Sequence, residues 1–216
     1  GIMADLSVAS LTLTDTDVEK LCQLVFSGSN SGKLNPEAIT KILDYAKTPE
    51  GKKLLKTYVN SDLALFLHGL KFIDDSKGLI LHQIVDKDNV STILSALKRI
   101  LKHDDIMTSS KFYLQLYYQV VLEFDFHIVD DIPTFLGLLV NPENQILVNM
   151  LLANCVRKSP KESSEIILLY FQDLIDLGLS CESKLLTFFL ALDTIFMYDP
   201  VVGAKIYNNE IALSEI

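Results

Sequence analysis

The positions of the prolines constrain the fold of this chain more than any other feature of its sequence. Five of the six prolines directly follow Asn, Thr, Ser or Asp, as in Asn35-Pro36 and Thr48-Pro49. A short polar side chain can accept a hydrogen bond from the free N–H groups of a first helical turn, and proline fits the first helical position because no donor is needed there. These pairs therefore predict helix starts along the whole chain.

Residues 141–200 show the pattern most densely. Helix starts are predicted at Asn141-Pro142, at Ser159-Pro160, near Ser180 and at Asp199-Pro200. The spacing of roughly 20 residues fits a helix of about 15 residues and a tight turn. Apolar residues surround much of the second helix, which predicts that neighbours bury it on more than one side. They are Ile166, Ile167, Leu169, Tyr170, Phe171, Leu174, Ile175 and Leu177.

Helices are also predicted along the preceding part of the chain. The predicted helix starts are residues 14–17, Asn35, Thr48, residues 60–62, Asp88-Asn89 and Thr108-Ser109, with short helices at residues 76–85 and 133–140. Period-two alternation, the signature of a strand, does not occur. We therefore predict an all-α protein of about a dozen helices, arranged as a right-handed armadillo/HEAT-like stack (an α-α superhelix).

The domain prediction follows from this helix series. Residues 14–216 are expected to form a single armadillo/HEAT-like helical domain, and residues 1–13 a disordered or tag-derived N-terminus. The last residues have a helical pattern without a glycine cap. We therefore expect the chain to be the N-terminal fragment of a longer protein.

Composition narrows the functional class. The net charge of −9 argues against binding to nucleic acid through phosphate contacts. No apolar run approaches the roughly 20 residues that a membrane-spanning helix requires. The three cysteines, Cys22, Cys155 and Cys181, are widely spaced and odd in number, which predicts free thiols and a cytoplasmic location.

No motif in the sequence has the spacing that a known chemistry requires. Residues 28–33 lack the Walker spacing, and residues 86–97 lack the glycine and the final glutamate of a calcium loop. The four histidines are scattered, so we predict no metal, no cofactor and no enzymatic activity. The distant alternative is an all-helical hydrolase using His127 and Asp130. The glycosylation sequon that begins at Asn89 coincides with a helix start and is predicted to be unused.

Two asparagines interrupt the helix that follows Pro142. Asn149 and Asn154 are candidate partner-binding residues, because asparagines on the inner helices of armadillo-type stacks often pair with the backbone of an extended partner. The alternative is a cap or a local side-chain hydrogen bond.

Three stretches of the chain resemble the fungal UCS proteins, which are myosin-directed chaperones that lack a TPR module. Residues 16–22 are similar to the opening helix of that family, and residues 112–124 to a long apolar helix in its middle. Residues 191–196, 201–207 and 212–213 are similar to the helix pair that closes its N-terminal region. The similarity spans most of the chain and consists of matching helical phase with few identities.

The resemblance implies an elongated armadillo-like stack that binds the myosin motor domain. The client groove of the family lies mainly in its more C-terminal portion, so this chain is expected to be a non-enzymatic scaffold, with self-association through its own surface. No functional residue of the family can be placed on this sequence. The alternative in the same class is a scaffold or assembly factor for another complex, acting in proteasome assembly, vesicle tethering or formin-type regulation.

Overall fold

Ten α-helices and three short 3₁₀ helices, Val129–Asp131, Leu138–Val140 and Pro142–Asn144, lie in the part of the computed structural model that is described up to Leu177. The described residues are 14–28, 34–103 and 110–177, together with positions 193 and 197. In chain order the helices are α1 Asp15–Phe26, α2 Pro36–Ala46, α3 Pro49–Ser61, α4 Leu63–Phe72, α5 Leu79–Ile84, α6 Val90–Leu101, α7 Ser110–Phe124, α8 Ile132–Gly137, α9 Gln145–Lys158 and α10 Pro160–Leu177. These residues contain no strand, so the predicted all-α class is confirmed.

The first helices begin where the polar residues predict. Asn35 Oδ1 accepts a hydrogen bond from the backbone N–H of Ala38 at 2.8 Å, and Thr48 Oγ1 accepts one from Gly51 at 3.0 Å. In both helices proline follows the cap directly. Each cap satisfies one of the donors that the first turn leaves free. Thr14 and Asp62 cap α1 and α4 in the same way.

The described helices belong to two compact units. The first unit contains the residues up to Leu97 together with Gln115–Val120, and the second contains Lys98–Leu114 and the residues from Val121 onward. The predicted single domain therefore remains a prediction.

Aromatic and small residues build the core of the first unit. The ring of Phe26 lies 4.9 Å from that of Phe66 and 6.1 Å from that of Tyr58, measured between ring centroids. The helices α1 and α4 approach closely at Gly69, where an added Cβ would lie 2.5 Å from Phe26 Cδ1. One side of α1 is buried in this core, namely Val18, Leu21, Cys22 and Val25.

A buried polar contact joins the segments of the second unit. Asn144 is fully buried, and its Nδ2 donates hydrogen bonds to Ser110 Oγ at 2.9 Å and to the Leu138 carbonyl at 3.0 Å. On the surface of this unit, Lys98 Nζ lies 3.0 Å from Asp131 Oδ1. The Asn144 amide therefore fixes the start of α9 against two other segments.

The predicted start at Asn141-Pro142 is wrong in detail. Asn141 caps the turn by accepting a hydrogen bond from the Glu143 N–H, but Pro142–Asn144 is a 3₁₀ helix and α9 begins at Gln145. Asn144, the last residue of the 3₁₀ helix, is buried and donates hydrogen bonds to Ser110 and Leu138, contacts for which its own segment gives no signal.

The turn before α6 also differs from the prediction, which placed the cap at Asp88-Asn89. Asp86 Oδ1 instead accepts hydrogen bonds from the N–H groups of Asp88 and Asn89, at 2.8 and 2.9 Å. The Asn89 side chain folds back, with Nδ2 donating to the Ile84 carbonyl at 2.9 Å and Oδ1 accepting from the Asp86 N–H at 2.8 Å. Lys56 Nζ approaches Asp86 to 2.9 Å and lowers the pKa of that carboxyl.

The burial predicted for α10 is confirmed at one position and wrong at another. Ile167 is buried, but Leu169 is 66% exposed. The predicted starts at Thr108-Ser109, Ser180 and Asp199-Pro200 lie outside the described residues.

Candidate functional site

Helix α9 presents apolar side chains to solvent in the second unit. Ile146 is 73% exposed and Met150, one turn later, is 39% exposed. Asn149 lies on the same side of the helix, since positions three and four apart are neighbours. We call Ile146, Asn149 and Met150 the α9 face. Exposed apolar side chains that cluster on one helix are typical of an interaction surface rather than of a solvated one.

The two predicted partner-binding asparagines do not share a face. They are five positions apart in the sequence, which is about 140° around a helix. Asn149 is half-buried, whereas Asn154 is buried with 7% exposure. Among the described residues, the Oδ1 atoms of both side chains are buried and have no hydrogen-bond partner. Partner binding by these residues remains a prediction, and Asn149 is the one placed beside exposed apolar groups.

A cleft in the first unit is a second candidate site. It has a volume of about 250 Å³ and is lined by α2, α5 and the loop between α4 and α5. The lining residues are Ile39, Leu43, Ile73, Asp74, Asp75, Ser76, Lys77, Leu79 and Ile80. Leu79 at its margin is 48% exposed. The walls are mainly aliphatic, and the charged groups are all on the loop.

Asp75 organises this loop. Its carboxylate accepts hydrogen bonds from the backbone N–H groups of Leu79 at 2.9 Å, Ile80 at 3.1 Å and Leu81 at 3.2 Å. The side chain thus satisfies the first donors of α5, which has no other side-chain cap. Burial raises the pKa of Asp75, and these backbone hydrogen bonds oppose that shift. The sequence interpretation missed this residue, although an aspartate shortly before a short apolar helix is the available signal.

The backbone around Asp75 is fixed on both sides. Asp74 has a φ of 54°, in the left-handed region, and the next N–H donates to the Leu70 carbonyl at 2.9 Å, which ends α4. Gln119 Nε2 donates to the Ser76 carbonyl at 3.0 Å. Hydrogen bonds therefore fix the backbone of the loop that carries the charged side chains of the cleft.

The remaining chemical candidates are two buried thiols and an exposed histidine and aspartate. Burial raises the pKa of the Cys22 and Cys155 thiols to about 12, so neither is an activated nucleophile. His127 and Asp130 are both exposed. The described residues contain no group of three His, Cys, Asp or Glu side chains placed to bind a metal. No helix of the described residues has the length and apolarity needed to cross a bilayer.

Comparison with known proteins does not add to these observations. No family model, no curated protein and no solved structure matches the chain.

Proposed function

We propose that this chain is a non-enzymatic protein-interaction scaffold of the armadillo/HEAT type, and specifically the N-terminal part of a myosin-directed UCS chaperone. Support for the scaffold class comes from the all-helical architecture and from the exposed apolar side chains of the α9 face. The resemblance of residues 16–22 and 112–124 to the UCS proteins supports the specific assignment.

The observation that carries the proposal is the exposure of Ile146 and Met150, one helical turn apart, next to Asn149. Burying such side chains against a partner contributes free energy in proportion to the apolar area removed from water. The Oδ1 atom of Asn149 is buried, so the amide N–H groups are what this side chain can offer to a partner backbone. The α9 face thus combines an apolar contact with a polar group that can set the register of a bound segment.

The first experiment compares the self-association of the chain with that of its Ile146→Ser/Met150→Ser variant by analytical ultracentrifugation. We expect the variant to self-associate about tenfold more weakly, equivalent to about 1.4 kcal/mol. The matched control is Leu122→Ser, which changes an apolar residue of another helix that is 46% exposed, and it should self-associate like the unchanged chain. The second experiment is a pull-down on an immobilised myosin motor domain with a UCS chaperone that contains this chain.

The outcomes test the myosin assignment and the role of the α9 face separately. Absence of binding to the motor domain by a UCS chaperone that contains this chain would remove the myosin assignment. Equal losses in the double variant and in Leu122→Ser would remove the role of the α9 face.

A further inference from the structure

The cleft of the first unit is too small for a typical cofactor or drug-sized ligand. Its volume is about 250 Å³, whereas such pockets usually enclose ~300–1,000 Å³. A site of this size suits one long side chain of a partner protein. Ile39 and Leu43 of α2 and Leu79 and Ile80 of α5 provide aliphatic surface along which an extended side chain can lie.

The charged groups of the cleft indicate which charge the end of a bound partner side chain should have. Asp74 is exposed, and within the described part of the chain no hydrogen bond or ion pair engages its carboxylate. Asp75, directly beside it, is already held by the backbone of α5. Lys77 is the one cation of the lining, set against two carboxylates. The cleft therefore has an unpaired negative group next to apolar walls.

We propose that this cleft binds an arginine or lysine side chain of a partner protein, with its aliphatic stem against Ile39, Leu43 and Leu79 and its cationic group at Asp74. Long basic side chains are suited to such a place because they bury an apolar stem and keep a charged end near water. Complementary charge at an exposed rim contributes selectivity and a modest gain in affinity. This site is distinct from the α9 face and does not depend on the identity of its partner.

The test is an NMR titration of the isotope-labelled full chain with a blocked Gly-Ala-Arg-Ala-Gly peptide. The matched control peptide carries citrulline, which has nearly the same shape as arginine but no charge. We expect saturable shifts of the amide signals of Leu43, Asp74, Ser76 and Leu79, and binding about two- to fivefold weaker for citrulline, as for an exposed ion pair.

Two variants test whether the charged residues of the cleft, Asp74 and Lys77, determine the binding of the peptide. Asp74→Asn removes the charge while keeping a residue that tolerates the left-handed backbone, so the two peptides should bind it equally. Lys77→Ala removes the competing cation and should bind the arginine peptide more tightly than the unchanged chain does. Circular dichroism of each variant checks that the fold is retained.

Several results would overturn the proposal that the cleft binds a basic side chain. Equal binding of the arginine and citrulline peptides by the unchanged chain would overturn the proposal, as would shifts that map outside the cleft lining. Retention of the difference between the peptides in Asp74→Asn would show that this carboxylate does not receive the cation. No binding of either peptide would also reject it.

Discussion

Two neighbouring buried serines at the start of α10 differ in the hydrogen bonding of their hydroxyl groups. Ser163 and Ser164 are 0% and 1% exposed. Ser164 Oγ donates a hydrogen bond to the Pro160 carbonyl, whereas the Ser163 Oγ has no partner among the described residues. A buried hydroxyl without a partner retains its desolvation cost, and its removal should be neutral or favourable.

This difference predicts opposite outcomes for two substitutions of the same kind. Ser163→Ala should leave the free energy of unfolding unchanged or raise it by up to ~1 kcal/mol, and Ser164→Ala should lower it by ~1 kcal/mol. Urea denaturation followed by circular dichroism measures both. A loss in Ser163→Ala as large as that in Ser164→Ala would mean that the Ser163 hydroxyl has a partner after all.

A second residue-scale prediction concerns Asp75. Its carboxylate accepts hydrogen bonds from three backbone N–H groups. In Asp75→Asn the NH₂ group of the amide replaces one of the accepting oxygens and faces these N–H donors, so the free energy of unfolding should fall by ~1–3 kcal/mol. Asp74→Asn is the matched control, being an exposed neighbour with the same change of side chain, and it should cost little. Thermal denaturation of the two variants checks the prediction, which fails if their melting temperatures fall by the same amount.

At the scale of the element, glycines have opposite roles in two helices. Gly69 of α4 lies against α1, and an added Cβ would come within 2.8 Å of the Val25 carbonyl oxygen, whereas nothing lies within 4 Å of a Cβ added at Gly137 of α8. Overpacking a close helix crossing is destabilising, while alanine in an open helical position restricts the unfolded chain.

Alanine substitutions test this contrast. Gly69→Ala should lower the free energy of unfolding by ~1–3 kcal/mol because α1 and α4 must separate. Gly137→Ala, at a helical φ of −62°, should raise it by ~0.4–1 kcal/mol. Chemical denaturation curves give both values. Stabilisation by Gly69→Ala would show that the two helices are not closely packed.

The helix starts illustrate how far the sequence determines the elements. Asn35 and Thr48 act as predicted because a cap followed by proline needs only its own first turn. The start at Asn141 was displaced because Asn144 is engaged by Ser110 and Leu138, and such contacts have no local signal. Local chemistry therefore predicts the elements well, and the exceptions arise from contacts distant in sequence.

The candidate sites were less predictable for the same reason. Asn149 could be chosen from its helix alone, and helical geometry could have shown that Asn154 points elsewhere. The cleft joins α2 to a loop about 30 residues later, and the pairing of these segments depends on packing in the first unit. Asp74 and Asp75 look like an ordinary solvated pair until that packing is known.

At the scale of the whole molecule, buried thiols should make stability depend on alkaline pH. Burial raises the pKa of Cys22 and Cys155 from 9.0 to about 12. Between these values the unfolded chain loses the thiol protons and the folded chain retains them. The unfolded state then binds fewer protons, so stability is full below pH 9 and falls as the pH rises.

The expected decrease is ~1.4 kcal/mol per thiol for each pH unit above the unfolded pKa. Denaturation measured from neutral to alkaline pH should show a smaller slope for the Cys22→Ala/Cys155→Ala variant than for the unchanged chain. Tyr113, whose pKa burial also raises, contributes equally to both proteins and cancels in the comparison. The raised pKa of Tyr58 comes from burial and, in smaller part, from Cys22, so its contribution falls in the variant in the same direction as that of the thiols. Identical slopes would show that the thiols ionise as readily in the folded chain as in the unfolded one.

The locked side chain of Asn89 restricts when this chain could acquire a sugar. An oligosaccharide is attached through the amide nitrogen of a sequon asparagine, and here that nitrogen is engaged by the Ile84 carbonyl. The following residues, Val90 and Ser91, already belong to α6. A transferase would have to reach this asparagine on the growing polypeptide, before the loop closes. Any glycan found there must therefore have been attached in the secretory pathway before this loop folded.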